Sequence, residues 1–210
     1  MPTTDTTTAP TEDQLSHIFS ALRKLREAIV ASKRLDDFSV QVYLFAIRLG
    51  ILASSYETYY PALLYLLRAI HPSHNMTSVE LSEAVSYLVL DAACRRGDLA
   101  EAYALRNAYK LRDSKVDGAL RALSTDDWVL WRRIRRSVDG HRAALMGFAE
   151  TRLVQHVLKA FGRSYLSVSL EFLEQQTDLK WAELRERFGV GWELKPAEGR
   201  VVIRKIGGRS

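Results

Sequence analysis

SYLSVSLEFLEQQTDLKWAELRERFGVGWELKPAEGRVVI, residues 164–203, is the stretch on which the fold turns. Tyr165-Leu166-Ser167-Val168 suits a short extended segment or the entry to a helix. From Ser169 to Gln176, Leu170, Phe172 and Leu173 fall at helical spacing. Thr177 or Asp178 can then cap a second helix that runs to Phe188 through Leu179, Trp181 and Leu184. Past Gly189-Val190-Gly191 the helical period stops. Trp192-Glu193-Leu194 and Val201-Val202-Ile203 are β-prone runs on either side of Lys195-Pro196-Ala197-Glu198-Gly199, which predicts a hairpin. Helix, helix, hairpin is the order of a winged helix.

Everything upstream reads as helix. An amphipathic helix over 13–33 carries Leu15, Ile18, Leu22, Leu25 and Ile29 on one stripe. The next, 36–54, is apolar nearly all round, so it is expected to be covered on every face. Pro61 is placed in the first turn of a third helix, where its missing N–H costs nothing. Thr77 and Glu80 have the spacing of a capping box ahead of a fourth. At Arg95-Arg96-Gly97-Asp98, glycine can end one helix in the left-handed conformation and aspartate can cap the next, which predicts a tight helical hairpin. Short helices follow over 116–123 and 126–137, the second opened by Ser124 or Thr125. One long helix is expected over 141–161.

The organisation expected is a disordered tail at 1–12, a helical-repeat region at 13–140, a long helix plus winged helix at 141–206, and a tail at 207–210. The chain holds a single cysteine, Cys94, so no internal disulfide exists, and a reducing cytoplasmic or nuclear setting is expected. The threonine-rich start lacks the pattern of a secretory signal, and no membrane span is foreseen. Charge is uneven. Residues 1–127 hold 14 Lys/Arg against 16 Asp/Glu, and residues 128–210 hold 16 against 9. The basic excess therefore belongs to the C-terminal part, which points to an acidic partner or a nucleic acid there.

The string Gly97-Asp98-Leu99-Ala100-Glu101-Ala102-Tyr103 resembles the turn of a tetratricopeptide-type unit. With Ser164 to Val168, Leu170 to Leu173, Leu184 to Phe188, Gly191-Trp192 and Val201 to Ile203, the chain resembles the PCI domain. The likeness is to the small class found in the proteasome lid, the COP9 signalosome and initiation factor 3. It covers about 79–206. The resemblance implies a mainly α fold, a right-handed TPR-like array followed by a winged helix with a small β-hairpin. It also implies a non-catalytic scaffold that binds other protein subunits through that winged helix. The Gly-Gly-Arg-Ser ending departs from the long terminal helix of lid and signalosome subunits.

Two sets of residues are candidates for contact. Val201, Val202 and Ile203, with Trp192 beside them, form an apolar wing strand suited to adding to a partner's sheet. Arg132, Arg133, Arg135 and Arg136, joined by Lys180, Arg185, Arg187, Arg200, Arg204 and Lys205, form a basic face for nucleic-acid backbone or an acidic protein. The alternative for the arginines is a solvated face paired with acids. No nucleophile, phosphate-loop or metal-ligand pattern is present: His71 and His74 lack companions, and Cys94 reads as core. No enzyme activity, cofactor or small-molecule substrate is expected.

Overall fold

The computed structural model describes residues 12–204. The tail assignments at 1–11 and 207–210, and Lys205, lie outside the described residues. The fold is mainly helical with one small three-stranded antiparallel sheet.

Helices α1 (Glu12–Ala31), α2 (Asp37–Leu52) and α3 (Tyr56–Tyr65) open the chain. A π-helical turn over Leu66–Ile70 continues α3 into the short α4 (His71–Ser73). Pro61 sits inside α3, not in its first turn, because the helix starts five residues earlier at Tyr56. In α5 (Ser78–Leu90) the capping box is present, with Thr77 Oγ1 accepting from Glu80 N–H and Glu80 accepting from Thr77 N–H. A second π turn, Asp91–Arg96, follows and ends at Gly97 with φ 73°. Asp98 then caps α6 (Leu99–Ala108), accepting from Glu101 N–H at 2.8 Å, so the predicted helical hairpin forms.

Asp113 caps α7 (Ser114–Ser124) and Asp127 caps α8 (Trp128–Arg135). For α8 the cap is therefore aspartate, not Ser124 or Thr125. The long helix expected over 141–161 is two helices, α9 (Gly140–Gly147) and α10 (Glu150–Ser164). Around the poor helix former Gly147, Phe148 N–H and Ala149 N–H bond three residues back, which tightens and breaks the run.

Strand β1 (Ser167–Ser169) leads into α11 (Leu170–Thr177) and α12 (Trp181–Phe188), and then come β2 (Glu193–Lys195) and β3 (Arg200–Val202). Asp178 takes a left-handed φ of 60° and ends α11, so α12 is capped by Lys180 and not by Thr177 or Asp178. The sheet order is β1-β3-β2, with Val168 opposite Val201 and Leu194 opposite Val201 on the other side.

Two cores result. The first gathers side chains from α1 to α9 and reaches Leu153 in α10. The second joins Val154, Val157, Leu158 and Phe161 of α10 to Val168, Leu173, Leu184 and Val201. The division therefore falls within α10, and α9 belongs with the first core, not at residue 140. One expectation for α2 fails: Phe38, Phe45 and Leu52, spaced by sevens, are 46%, 55% and 57% exposed, so one face of this apolar helix is uncovered.

Candidate interaction surface

The sheet places the wing strand differently from the sequence reading. β3 is the central strand, hydrogen-bonded on both sides, so its backbone cannot add to a partner's sheet. Val201 is fully buried, while Val202 and Ile203 are half-buried, with Ile203 N–H bonded to the Leu166 carbonyl. Trp192 packs on the second core, and a Cβ on Gly162 of α10 would stand 3.8 Å from its ring. The strand register corrects the choice of Val201, Val202 and Ile203 as an open edge; Trp192 stands outside β3, just before β2. The reason is nonlocal: β1, thirty-odd residues upstream, occupies the side that sequence left empty. The edges of the sheet are β1 and β2.

Beside β1 lies an apolar patch that the sequence did not mark as a contact surface. Tyr165, Leu166 and Phe172 are 42%, 48% and 38% exposed. Tyr165 and Phe172 flank Phe161, with ring centroids 5.2 and 5.7 Å from it. Only the break in helical period at Gly162-Arg163 hinted that these rings leave the α10 face.

The basic segment turns out to be a seam between the two cores. Trp128 Nε1 donates to Gln176 Oε1 at 3.1 Å. Arg132 donates to the Gln175 carbonyl and to Gln176 Oε1, both near the C-terminus of α11, where carbonyls lack helical partners and the dipole favours a cation. Burial holds the Arg132 pKa below its usual value. Arg135 pairs with Glu150 at 2.8 Å and Arg136 with Asp178 at 2.9 Å. Further along, Lys180 pairs with Glu174 at 2.8 Å, Arg187 lies 4.0 Å from Glu183, Arg200 donates to Ser167 Oγ, and Arg204 donates to the Arg163 carbonyl. Of the described residues in the predicted basic face, Arg133 and Arg185 alone show neither a side-chain hydrogen bond nor an ion pair.

The densest polar constellation lies elsewhere, and sequence did not single it out. The Asp91 side chain, wholly buried at the π turn, accepts from Tyr59 Oη at 2.6 Å and from Arg95 at 2.7 and 3.0 Å, and Arg96 lies 3.4 Å away. The Arg95 guanidinium also stacks 3.8 Å over the Tyr56 ring. Burial, and then the hydrogen bond to Asp91, push the Tyr59 phenol well above its usual pKa. Both oxygens of the carboxylate are engaged and the side chain is fully buried, which makes this a satisfied polar knot in the core. Cys94, one turn away, is buried, and that burial pushes its thiol up to about 12, far from a nucleophile's range.

Arg152 of α10 reaches back to the same turn, donating to the Ala93 and Cys94 carbonyls at 3.2 and 3.3 Å. His74 meets Asp37 at 2.8 Å. Among the described residues no group of three His, Cys, Asp or Glu is placed to hold a metal, and no helix is long and apolar enough to cross a membrane. No family model matches the chain, and no curated protein matches it significantly.

Proposed function

We propose that the chain is a non-catalytic assembly subunit of the PCI type, joined to a partner protein through its C-terminal body. In this reading α10, β1, α11, α12, β2 and β3 are a winged helix, and the helices before it, with the Gly97-Asp98 hairpin, are a TPR-like array that carries it. The observation that bears most on this is the open rim of the second core. Tyr165, Leu166 and Phe172 are exposed next to the free outer edge of β1. Aromatic side chains around an apolar centre are what the middle of a protein interface requires. The contact is thereby moved from β3 to β1 and α11.

The nucleic-acid reading is the alternative. Counterion release needs several cations able to meet phosphates, and Arg132 and Arg135 are already held within the chain while Arg136 and Lys180 sit in exposed pairs. Tagged chain recovered from its native cell should bring partner proteins with it. The double variant Leu166→Glu/Phe172→Glu should lose them while its circular dichroism and cooperative unfolding stay intact. Arg133→Glu/Arg185→Glu should keep them. Unchanged recovery with the first variant, or loss with the second, would overturn the proposal.

A further inference from the structure

Ser78, Leu81, Ser82 and Val85 fall at i, i+3, i+4 and i+7 along α5 and form one stripe of that helix. Against the stripe lies the link from α6 to α7, residues 109–113, and between the two is a cleft of about 280 Å³. Val85 and Leu111, both buried, form its floor. Because Leu111 turns inward, its neighbours Lys110 and Arg112 stand exposed on the rim, with the Tyr109 ring beside them.

Both cations lack a counter-charge. Among the described residues neither has an ion pair or a side-chain hydrogen bond, and the Ser78, Ser82 and Tyr109 hydroxyls have no partner either. The acids near them in the chain are committed elsewhere. Asp113 caps α7 and pairs with Arg142 at 2.9 Å. Glu80 closes the capping box and accepts from Gln41, and Glu83 holds Arg48 and Tyr87. No carboxylate lines the cleft. Four other clefts bordered by arginine each contain an acid: Glu57 beside Arg26, Glu83 beside Arg48, Asp126 beside Arg152 and Glu150 beside Arg135.

The donor set decides the ligand. Two full positive charges and three hydroxyls surround a space of about nine water volumes, at about 30 Å³ each. A carboxylate carries one charge and is filled by a single guanidinium fork. A phosphate monoester carries nearly two negative charges at neutral pH and three free oxygens, so it matches both cations and keeps an acceptor for the hydroxyls. The apolar floor and the tyrosine ring then suit the organic part of the ester.

The geometry points to a binding site, between α5 and the α6–α7 link, for a small phosphate monoester with an apolar body. Lys110, Arg112 and the serine hydroxyls hold the phosphoryl oxygens, and the body rests on Val85, Leu111 and the Tyr109 ring. The site is separate from the rim at Tyr165, Leu166 and Phe172 and does not depend on the assembly reading.

Phenyl phosphate titrated into the full chain and followed by amide NMR tests it. Binding should saturate, in the millimolar range or tighter for a ligand of this size, and move the resonances of 78–85 and 109–112. Lys110→Gln and Arg112→Gln should each weaken it about tenfold, the loss of one charged hydrogen bond, and Ser82→Ala about threefold. Unchanged thermal unfolding of these rim variants would show that the fold is kept. Arg133→Gln, which removes an equally unpaired cation elsewhere, should leave affinity as it is. Benzoate, with the ring but one charge, and inorganic phosphate, with the charge but no body, should both bind more weakly than phenyl phosphate. A blocked alanine peptide carrying one phosphoserine should bind no better. Absence of saturation, equal affinity for benzoate or inorganic phosphate, equal loss with Arg133→Gln, or a tighter hold on the phosphopeptide would each overturn the inference.

Discussion

Tyr59 and Asp91 are fully buried and Tyr87 nearly so, within a large core, whereas Leu173 and Val201, just as buried, are packed among Trp192, Phe188 and Trp181, which are only partly enclosed. The first core is large enough to bury a carboxylate and satisfy it with a tyrosine and two arginines. The second is small and relies on caps, a short sheet and the seam from α8. A small unit has more surface for its volume, so such a body leaves more of its apolar rings exposed. The difference teaches where each part of this molecule finds its stability: in a deep interior for the first, and in caps, a short sheet and the α8 seam for the second.

The comparison breaks most visibly at Asp91. Asp91→Ala should cost about 3–5 kcal/mol in denaturant unfolding, because it removes the charge-assisted hydrogen bonds from the partly exposed Arg95 and leaves the buried Tyr59 hydroxyl without an acceptor. Cys94 is a built-in probe: its reaction with a thiol reagent at pH 8 should be negligible in the wild type and rise with this variant. Leu173→Ala should cost about 2–5 kcal/mol. Hydrogen exchange should then quicken over 167–202 while α3 and α5 keep their protection. Equal quickening in both would show a single cooperative unit.

Glu83 sharpens the contrast through pH. Its burial would raise the carboxyl pKa, but hydrogen bonds from Arg48 at 2.7 Å and Tyr87 at 2.8 Å outweigh that and hold it below the usual glutamate value. A depressed carboxylate pKa stabilises the fold above the unfolded value and is lost as pH falls through the folded one. The stability advantage of wild type over Glu83→Gln should therefore be full at neutral pH and shrink below about pH 4.5. The smallest effect is expected at Arg136. Both partners of its pair with Asp178 are more than half exposed, so Arg136→Ala should change stability by no more than about 1 kcal/mol.

Local signals were legible in the sequence. Thr77 with Glu80, and Gly97 with Asp98, act over three residues or fewer, and both caps form as read. The β2–β3 hairpin was also legible, since its two runs and its turn lie within a dozen residues. What failed was set by distance along the chain. The pairing of β1 with β3 joins residues more than thirty apart. The acceptors for Arg132 and Arg136 lie about forty residues downstream of them. A charge run looks the same in sequence whether it meets water or its own helix ends. The π turns over Leu66–Ile70 and Asp91–Arg96 left no trace, because an added residue in a helix preserves its apolar pattern on either side. The open stripe on α2 shows the converse: a helix apolar on all faces can have one left bare when the described residues supply nothing to cover it.

Gly97 carries one more consequence. Its backbone is left-handed, and a Cβ there would stand 2.5 Å from a terminal nitrogen of Arg152. The arginine occupies the volume that any side chain at this turn would need, and from it grips the end of the π turn. Positions 97 and 152 are thus tied, although 55 residues separate them. A residue other than glycine at 97 has to tolerate the left-handed backbone, as asparagine does, and also push aside the tip of Arg152, so removing the arginine alone does not free the position.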